Sequence, residues 1–240
     1  MEYYIIDEYN SSIDGNHIII SGDLYKHLAI VLRKNISDTI ELTDGKGNIL
    51  ECNIVNIDRK TVRCNILKRK SGLYEPEISI RLFLAPLRNM SRFEFAVEKS
   101  VEIGVMEIVP VITKYTVIKE KFSESRYKRL IKIIKSAAGQ SQRCILPVMN
   151  QVINFSEMIE MTSDSEVKIV MYEHWEKEEN KHLKIKNKKV NLLIGPEGGF
   201  DVNEIKMLDE KGWIKRSLGN RKLRAETAAI VSLFEILNYS

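Results

Sequence analysis

The stretch over residues 190–227 constrains this chain more than any other. An apolar strand over residues 190–194 runs straight into Gly195-Pro196-Glu197-Gly198-Gly199-Phe200. A helix, a second strand and a second glycine-marked loop follow, and Leu218-Gly219-Asn220-Arg221-Lys222-Leu223-Arg224 then opens the last helix. Two loops that each leave a strand and enter a helix are expected to face each other across a crevice at the carboxyl ends of the strands, where α/β sheets take their ligands. Glycine lets the backbone come close to a ligand or take a positive φ, and amides at a helix start bind anions or a base edge. A plain tight turn is the other reading of the first loop taken alone. No Lys-Ser/Thr follows its glycines, so it is not a Walker loop, and it lacks the Gly-x-Gly-x-x-Gly spacing of a dinucleotide fold.

Upstream the pattern changes character. Residues 1–72 read as short strands around turn signals such as Asp14-Gly15-Asn16 and the hairpin Asp44-Gly45-Lys46-Gly47, with one short helix over residues 23–31. That is a small β-barrel. The basic join Lys68-Arg69-Lys70-Ser71-Gly72 sets the expected boundary, leaving residues 73–240 as a second domain. There, strands over residues 78–85, 107–112, 167–172 and 190–194 alternate with helices over residues 91–103, 125–142, 201–211 and 225–237. The strands are short apolar runs, so the fold class is α/β with a mostly parallel sheet covered on both faces.

Charge adds a partner. Of 37 Lys and Arg against 33 Asp and Glu, residues 81–143 hold 13 against 6. Such a concentrated excess points to a polyanion, or else to a solvated helix face. Arg88, Asn89 and Arg92 follow the first strand of the second domain, and Gln140, Ser141, Gln142 and Arg143 end its long basic helix. Those at the helix end are open to C-capping or to contact with a nucleic-acid backbone. Arg221, Arg224 and Glu226 cluster after the second loop as a surface ion network or as guanidinium groups holding phosphate or an electron-rich base. Cys52, Cys64 and Cys144 form no Cys-x-x-Cys pair, and His17, His27, His174 and His182 do not cluster, so no metal site is expected. No apolar run reaches the roughly 18 residues of a membrane span. The start of the chain has no signal-peptide pattern, and the expected location is cytoplasmic.

The two loop motifs together, Gly-Pro-Glu-Gly-Gly-Phe and Leu-Gly-x-Arg-x-Leu-Arg-x-Glu-Thr-Ala, resemble the ribosomal RNA small subunit methyltransferase E family of the SPOUT superfamily. The likeness continues in His27 with Val31-Leu32-Arg33, in the turn at residues 44–47, in residues 98–105, and in Ala137-Ala138-Gly139-Gln140-Ser141-Gln142-Arg143 followed by Pro147. Departures are Arg88 for a usual Lys, Ala225 for Thr, Ile103 for Leu, and Tyr3-Tyr4 where the family has an Arg. The resemblance implies a PUA-like RNA-binding barrel, a SPOUT domain tied in a trefoil knot, a homodimer, and transfer of a methyl group from S-adenosyl-L-methionine to uridine N3 of 16S ribosomal RNA. It implies that Leu193, Ile194 and residues 195–200, with Leu218, Gly219, Asn220, Lys222 and Leu223, hold the cofactor. Arg224 or Arg221 would support charge on the uracil oxygens. Glu226 or Glu197 would accept the N3 proton, or each would be structural instead, with Glu226 ordering an arginine. Arg33, Lys34, Arg88, Arg92, Gln140 and Arg143 would meet RNA. Two other readings stay open: a related enzyme methylating another position such as a ribose 2′-OH, and a non-catalytic RNA-binding assembly factor.

Overall fold

The computed structural model of the chain describes residues 3–72, 74–174, 185 and 189–239. His182 and the expected boundary residue 73 lie outside them. Two compact units result, one built from residues 3–75 with 138–146, the other from residues 76–137 with 147–239.

The first unit holds β1 (Tyr3–Ile5), β2 (Ser11–Asp14), β3 (His17–Ile20), α1 (Gly22–Tyr25), β4 (Thr39–Thr43), β5 (Asn48–Ile57) and β6 (Val62–Ser71). The strands form one barrel-like sheet in the order β1-β4-β5-β6-β3-β2. Only the β1–β4 pairing is parallel. Two register shifts along β5 and β6 bend the ribbon, as bulges do. Alternating Ile18, Ile20, Ile40, Leu42, Leu50, Cys52 and Ile54 fill the inside, joined by Leu28 from the turn that follows α1. The helix expected over residues 23–31 is tighter at its start and wider at its end. α1 runs into a π-helical turn, Lys26–Val31, where Leu32 N–H reaches back five residues to His27 O at 2.9 Å.

The segment at residues 138–146 changes the expected division, which was a single cut after residue 72. Cys144 O accepts from Gly47 N at 2.9 Å and from Thr43 Oγ1 at 3.1 Å, and Ile145 bridges Lys46. A Cβ on Gly139 would stand 2.6 Å from Tyr3 O, so only glycine permits that approach.

The second unit contains β7 (Ser79–Leu84), α2 (Met90–Ile103), β8 (Glu107–Ile112), α3 (Glu124–Gln140, whose end enters the first unit), β9 (Val148–Met149), β10 (Ile153–Asn154), α4 (Phe155–Met161), β11 (Val167–Met171), β12 (Lys189–Ile194), α5 (Val202–Glu210), β13 (Ile214–Arg216) and α6 (Ala225–Tyr239). Its sheet runs β10-β8-β7-β12-β11-β13, with β9 beside β8, and every pairing is parallel. The central strands are largely apolar because helices cover both faces: Ile80, Leu82, Phe83 and Leu84 of β7 and Leu192 and Leu193 of β12 are fully buried. With all strands parallel, the loops after β11, β12 and β13 open at one end of three neighbouring strands. No helix among the described residues is long and apolar enough to cross a membrane.

Candidate functional site

The loop after β12 turns sharply, Gly199 N–H donating to Pro196 O at 2.9 Å with Gly199 at φ +71°. Its glycines are required by their neighbours. A Cβ on Gly195 would lie 2.9 Å from the Phe200 ring, and one on Gly198 would lie 3.0 Å from Tyr115 Cβ. The loop after β13 passes through Gly219 at φ +110°, with Gly219 N–H donating to Ser217 Oγ at 3.2 Å. Together with the end of β11, these loops enclose a cavity of about 330 Å³, a volume within the usual range for small-ligand sites.

Most of the residues expected to hold a cofactor meet there. Ile194 through Phe200, Leu218, Gly219, Lys222 and Leu223 line the cavity, as do Arg221 and Arg224. Leu193 lies behind it, packed in the core with Phe83, Val109 and Val170. Asn220 is exposed and outside the lining. Glu226 is also outside the lining; it is buried at the first turn of α6, with Oε1 3.8 Å from Arg92 Nε. Glu197, by contrast, lines the cavity and accepts from Arg88 N–H at 3.1 Å. Two of the residues expected at RNA thus touch the two candidate proton acceptors, Arg92 through its guanidinium and Arg88 through its backbone N–H alone.

Of the remaining residues expected at RNA, Arg33, Lys34, Gln140 and Arg143 all belong to the first unit. Arg33 is exposed at φ +51° just past the π-helical turn, and Gln140 is exposed at the end of α3. Arg143 is another matter. It is 4% exposed, and its Nη2 and Nε reach Glu75 Oε2 at 2.8 and 3.2 Å. The other oxygen of Glu75 accepts from Cys144 N and Ile145 N, both at 2.9 Å. A guanidinium so enclosed is turned to a buried carboxylate of the first unit and not, as expected, to RNA.

Several lining residues escaped the motifs. Met171, Tyr172, Glu173 and His174 come from the end of β11, and Arg216 and Ser217 from the end of β13. Glu173 Oε2 accepts from Lys222 Nζ at 2.9 Å, and Arg216 Nη2 donates to Glu235 at 2.7 Å. Next to the cavity, Asp201 caps α5. Lys114 Nζ at 2.7 Å holds its carboxyl down at about 2, helped by Asn203 N–H at 3.0 Å and by the Tyr115 hydroxyl at 3.0 Å. The sequence signal for Tyr172 and Glu173 is their place at and just past the end of the apolar strand expected over residues 167–172. What it lacked was the sheet order that sets β11 between β12 and β13.

The chain thus carries a parallel α/β unit with a backbone-lined crevice at its strand ends and a separate unit built on a barrel-like sheet. Residues 74–236 match the model of an RNA methyltransferase domain and residues 20–67 that of an RNA methyltransferase PUA domain. The chain belongs to the ribosomal RNA small subunit methyltransferase E family. It is 36% identical over 183 residues to that protein of Mesomycoplasma hyopneumoniae, covering 75% of this chain and 78% of the relative. It is 27% identical to that of Bacillus subtilis, over 90% and 88% of the two chains. Among solved structures, the Neisseria gonorrhoeae ribosomal RNA small subunit methyltransferase E bound to S-adenosyl methionine superposes with a TM-score of 0.87 at 25% identity, covering both chains completely. A Legionella pneumophila putative methyltransferase in complex with the bound cofactor SAM gives 0.81 at 26% identity, over 98% of this chain and 95% of that one.

Proposed function

We propose that this chain transfers a methyl group from S-adenosylmethionine to N3 of a uridine in 16S ribosomal RNA. The observation that carries the reading is the cavity at the ends of β11, β12 and β13, found in a chain of this family. Its residues fit the cofactor. Gly195 and Gly198 let the loop pack directly against Phe200 and Tyr115, which holds its backbone along the cavity. Ile194, Leu218 and Leu223 offer apolar surface, and the Glu173 and Glu197 carboxylates suit an amine and a sulfonium.

Bound there, the cofactor supplies a methyl group already activated on sulfur, so the chain's residues have the other half of the task. Uridine N3 carries a proton and attacks only once that proton has left. Glu197 lines the cavity and is the better placed acceptor. Glu226, buried against Arg92, serves to position that arginine. Arg224 and Arg221 sit at the cavity with exposed guanidinium groups, suited to the negative charge that grows on the uracil oxygens. A target base inside folded RNA has to be turned out to reach them. The knot, a homodimer and a cytoplasmic location complete the proposal on the strength of the family resemblance.

The test is methyl transfer from labelled cofactor to small subunits that lack the modification, with the product nucleoside mapped by mass spectrometry. N3-methyluridine is the expected product. A ribose-methylated nucleoside would move the chain to another target, and no transfer with intact cofactor binding would make it an RNA-binding factor.

A further inference from the structure

An open groove adjoins the cavity, and Glu197 and Gly198 line both. Its other walls include Arg88, Arg92, Tyr115, Val117 and Arg126, so three arginines face one carboxylate. Tyr115 is the unusual member. It is 45% exposed, yet it is fixed at both ends. Its hydroxyl donates to Asp201 at 3.0 Å, and its Cβ occupies the space next to Gly198 that a side chain there would need. The same Asp201 oxygen holds Lys114 at 2.7 Å, which brings the ammonium 5.8 Å from the centre of the tyrosine ring. Arg126 is steadied too, lying 5.8 Å over the ring of the buried Phe122. Val117 beside them is 63% exposed.

An exposed aromatic ring that is already immobilised binds a flat partner at little entropic cost. Cations spaced around it are what a single-stranded nucleic acid needs, since the ring takes a base and the guanidinium groups take phosphates. We propose that this groove seats single-stranded RNA, with Tyr115 the platform on which a base stacks and Arg88 and Arg126 the phosphate contacts. The inference rests on the methyltransferase reading for its purpose: a base stacked at Tyr115 stands next to the loop that holds the cofactor. A protein partner would use the groove differently, since it has no need of a stacking face.

Fluorescence anisotropy with a labelled oligouridylate about ten nucleotides long, within the range a single-strand groove accommodates, decides the matter. Tyr115→Leu keeps the Cβ contact and removes the ring, and it is expected to weaken binding roughly tenfold or more. Tyr115→Phe keeps the ring and loses only the Asp201 bond, so it is expected to stay within about threefold of the wild type, as the ring does the stacking. Cofactor calorimetry on each variant reports whether the neighbouring loop is intact. Wild-type affinity in Tyr115→Leu, equal losses in the Leu and Phe variants, or no oligouridylate binding by the wild type would each overturn the proposal. Should the Leu variant also lose the cofactor, Arg126→Gln decides instead, because Arg126 lies outside the cofactor cavity: weaker binding supports the groove and unchanged binding rejects it. Methyl transfer by the wild type is scored separately. Its absence beside ring-dependent RNA binding would sink the enzymatic reading and leave the groove standing.

Discussion

Arg224 and Glu226 lie two residues apart and have different surroundings. Arg224 is exposed at the cavity; Glu226 is buried, with Arg92 at 3.8 Å. A donor aimed at developing charge acts mainly on the chemical step, and removing one typically lowers turnover by about 10²–10³-fold. Arg224→Ala is therefore expected to lose turnover on that scale while binding the cofactor within a few-fold of the wild type. Single-turnover methyl transfer and calorimetry separate the two effects. Near-normal turnover would pass the role to Arg221. Glu226→Gln keeps the shape of the α6 start and weakens only its hold on Arg92, so its loss belongs in the affinity for RNA.

Among the elements, α5 and the end of α3 depend on ionic groups in ways that solution measurements can read. Asp201 at the start of α5 has a carboxyl held at about 2, chiefly by Lys114, with Tyr115 and Glu204 the other titratable groups at the cap. Folding favours the ionised form, so its stabilisation is complete above the ordinary carboxylate range near pH 4 and is lost as the pH falls through about 2. Asp201→Asn is expected to flatten the dependence of thermal midpoint on pH within that window and to leave its slope near neutrality alone. The Arg143–Glu75 pair is enclosed, at 4% and 8% side-chain exposure. Arg143→Met would strand the carboxylate and cost about 3–5 kcal/mol, seen as a lower urea midpoint for the first unit. The double variant Arg143→Met with Glu75→Gln should recover part of that loss.

These same elements show where sequence was sufficient. The apolar strands β7, β8, β11 and β12 and the helices α2, α5 and α6 were marked by periodicity and by glycines at their ends, within a few residues of where they lie. β2 is an edge strand with an exposed face, and Ser11 and Ser12 carry no apolar alternation that would mark it in the sequence. α4 went unread although Asn154 and Glu157 form a capping box, a signal that was there to find. Arg143 was misplaced for a physical reason. Its partner Glu75 is 68 residues away, and nothing local tells a helix-end arginine that meets a phosphate from one that meets a buried carboxylate. The loops of the site, whose chemistry is backbone and glycine, were legible as motifs, while Glu173 and Tyr172 needed the order of the strands.

For the whole molecule, the charge excess of residues 81–143 means less than its count. Of its 13 cations, Arg81, Arg92, Lys99, Lys114, Lys128, Arg129 and Arg143 are in ion pairs with carboxylates. Lys135 also has an interaction of its own, which leaves Arg88, Lys119, Lys121, Arg126 and Lys132 in no ion pair among the described residues. A cation already neutralised by the fold releases few counterions from RNA, so the footprint of this segment should be nearer five charges than thirteen. With about 0.7 counterion released per phosphate on a single strand, five contacts give a slope of about −3.5 in log affinity against log salt, and thirteen would give about −9. Changing those five residues to Gln together isolates the segment from whatever Arg33 and Lys34 add in the first unit. The difference in salt slope between wild type and variant is expected near 3–4, measured by oligouridylate anisotropy across roughly 50–200 mM salt. A difference near zero would move the electrostatic footprint to the barrel-like unit. A wild-type slope near −9 that falls to about −5.6 in the variant would show that the internal ion pairs open on binding and hand their arginines and lysines to the RNA.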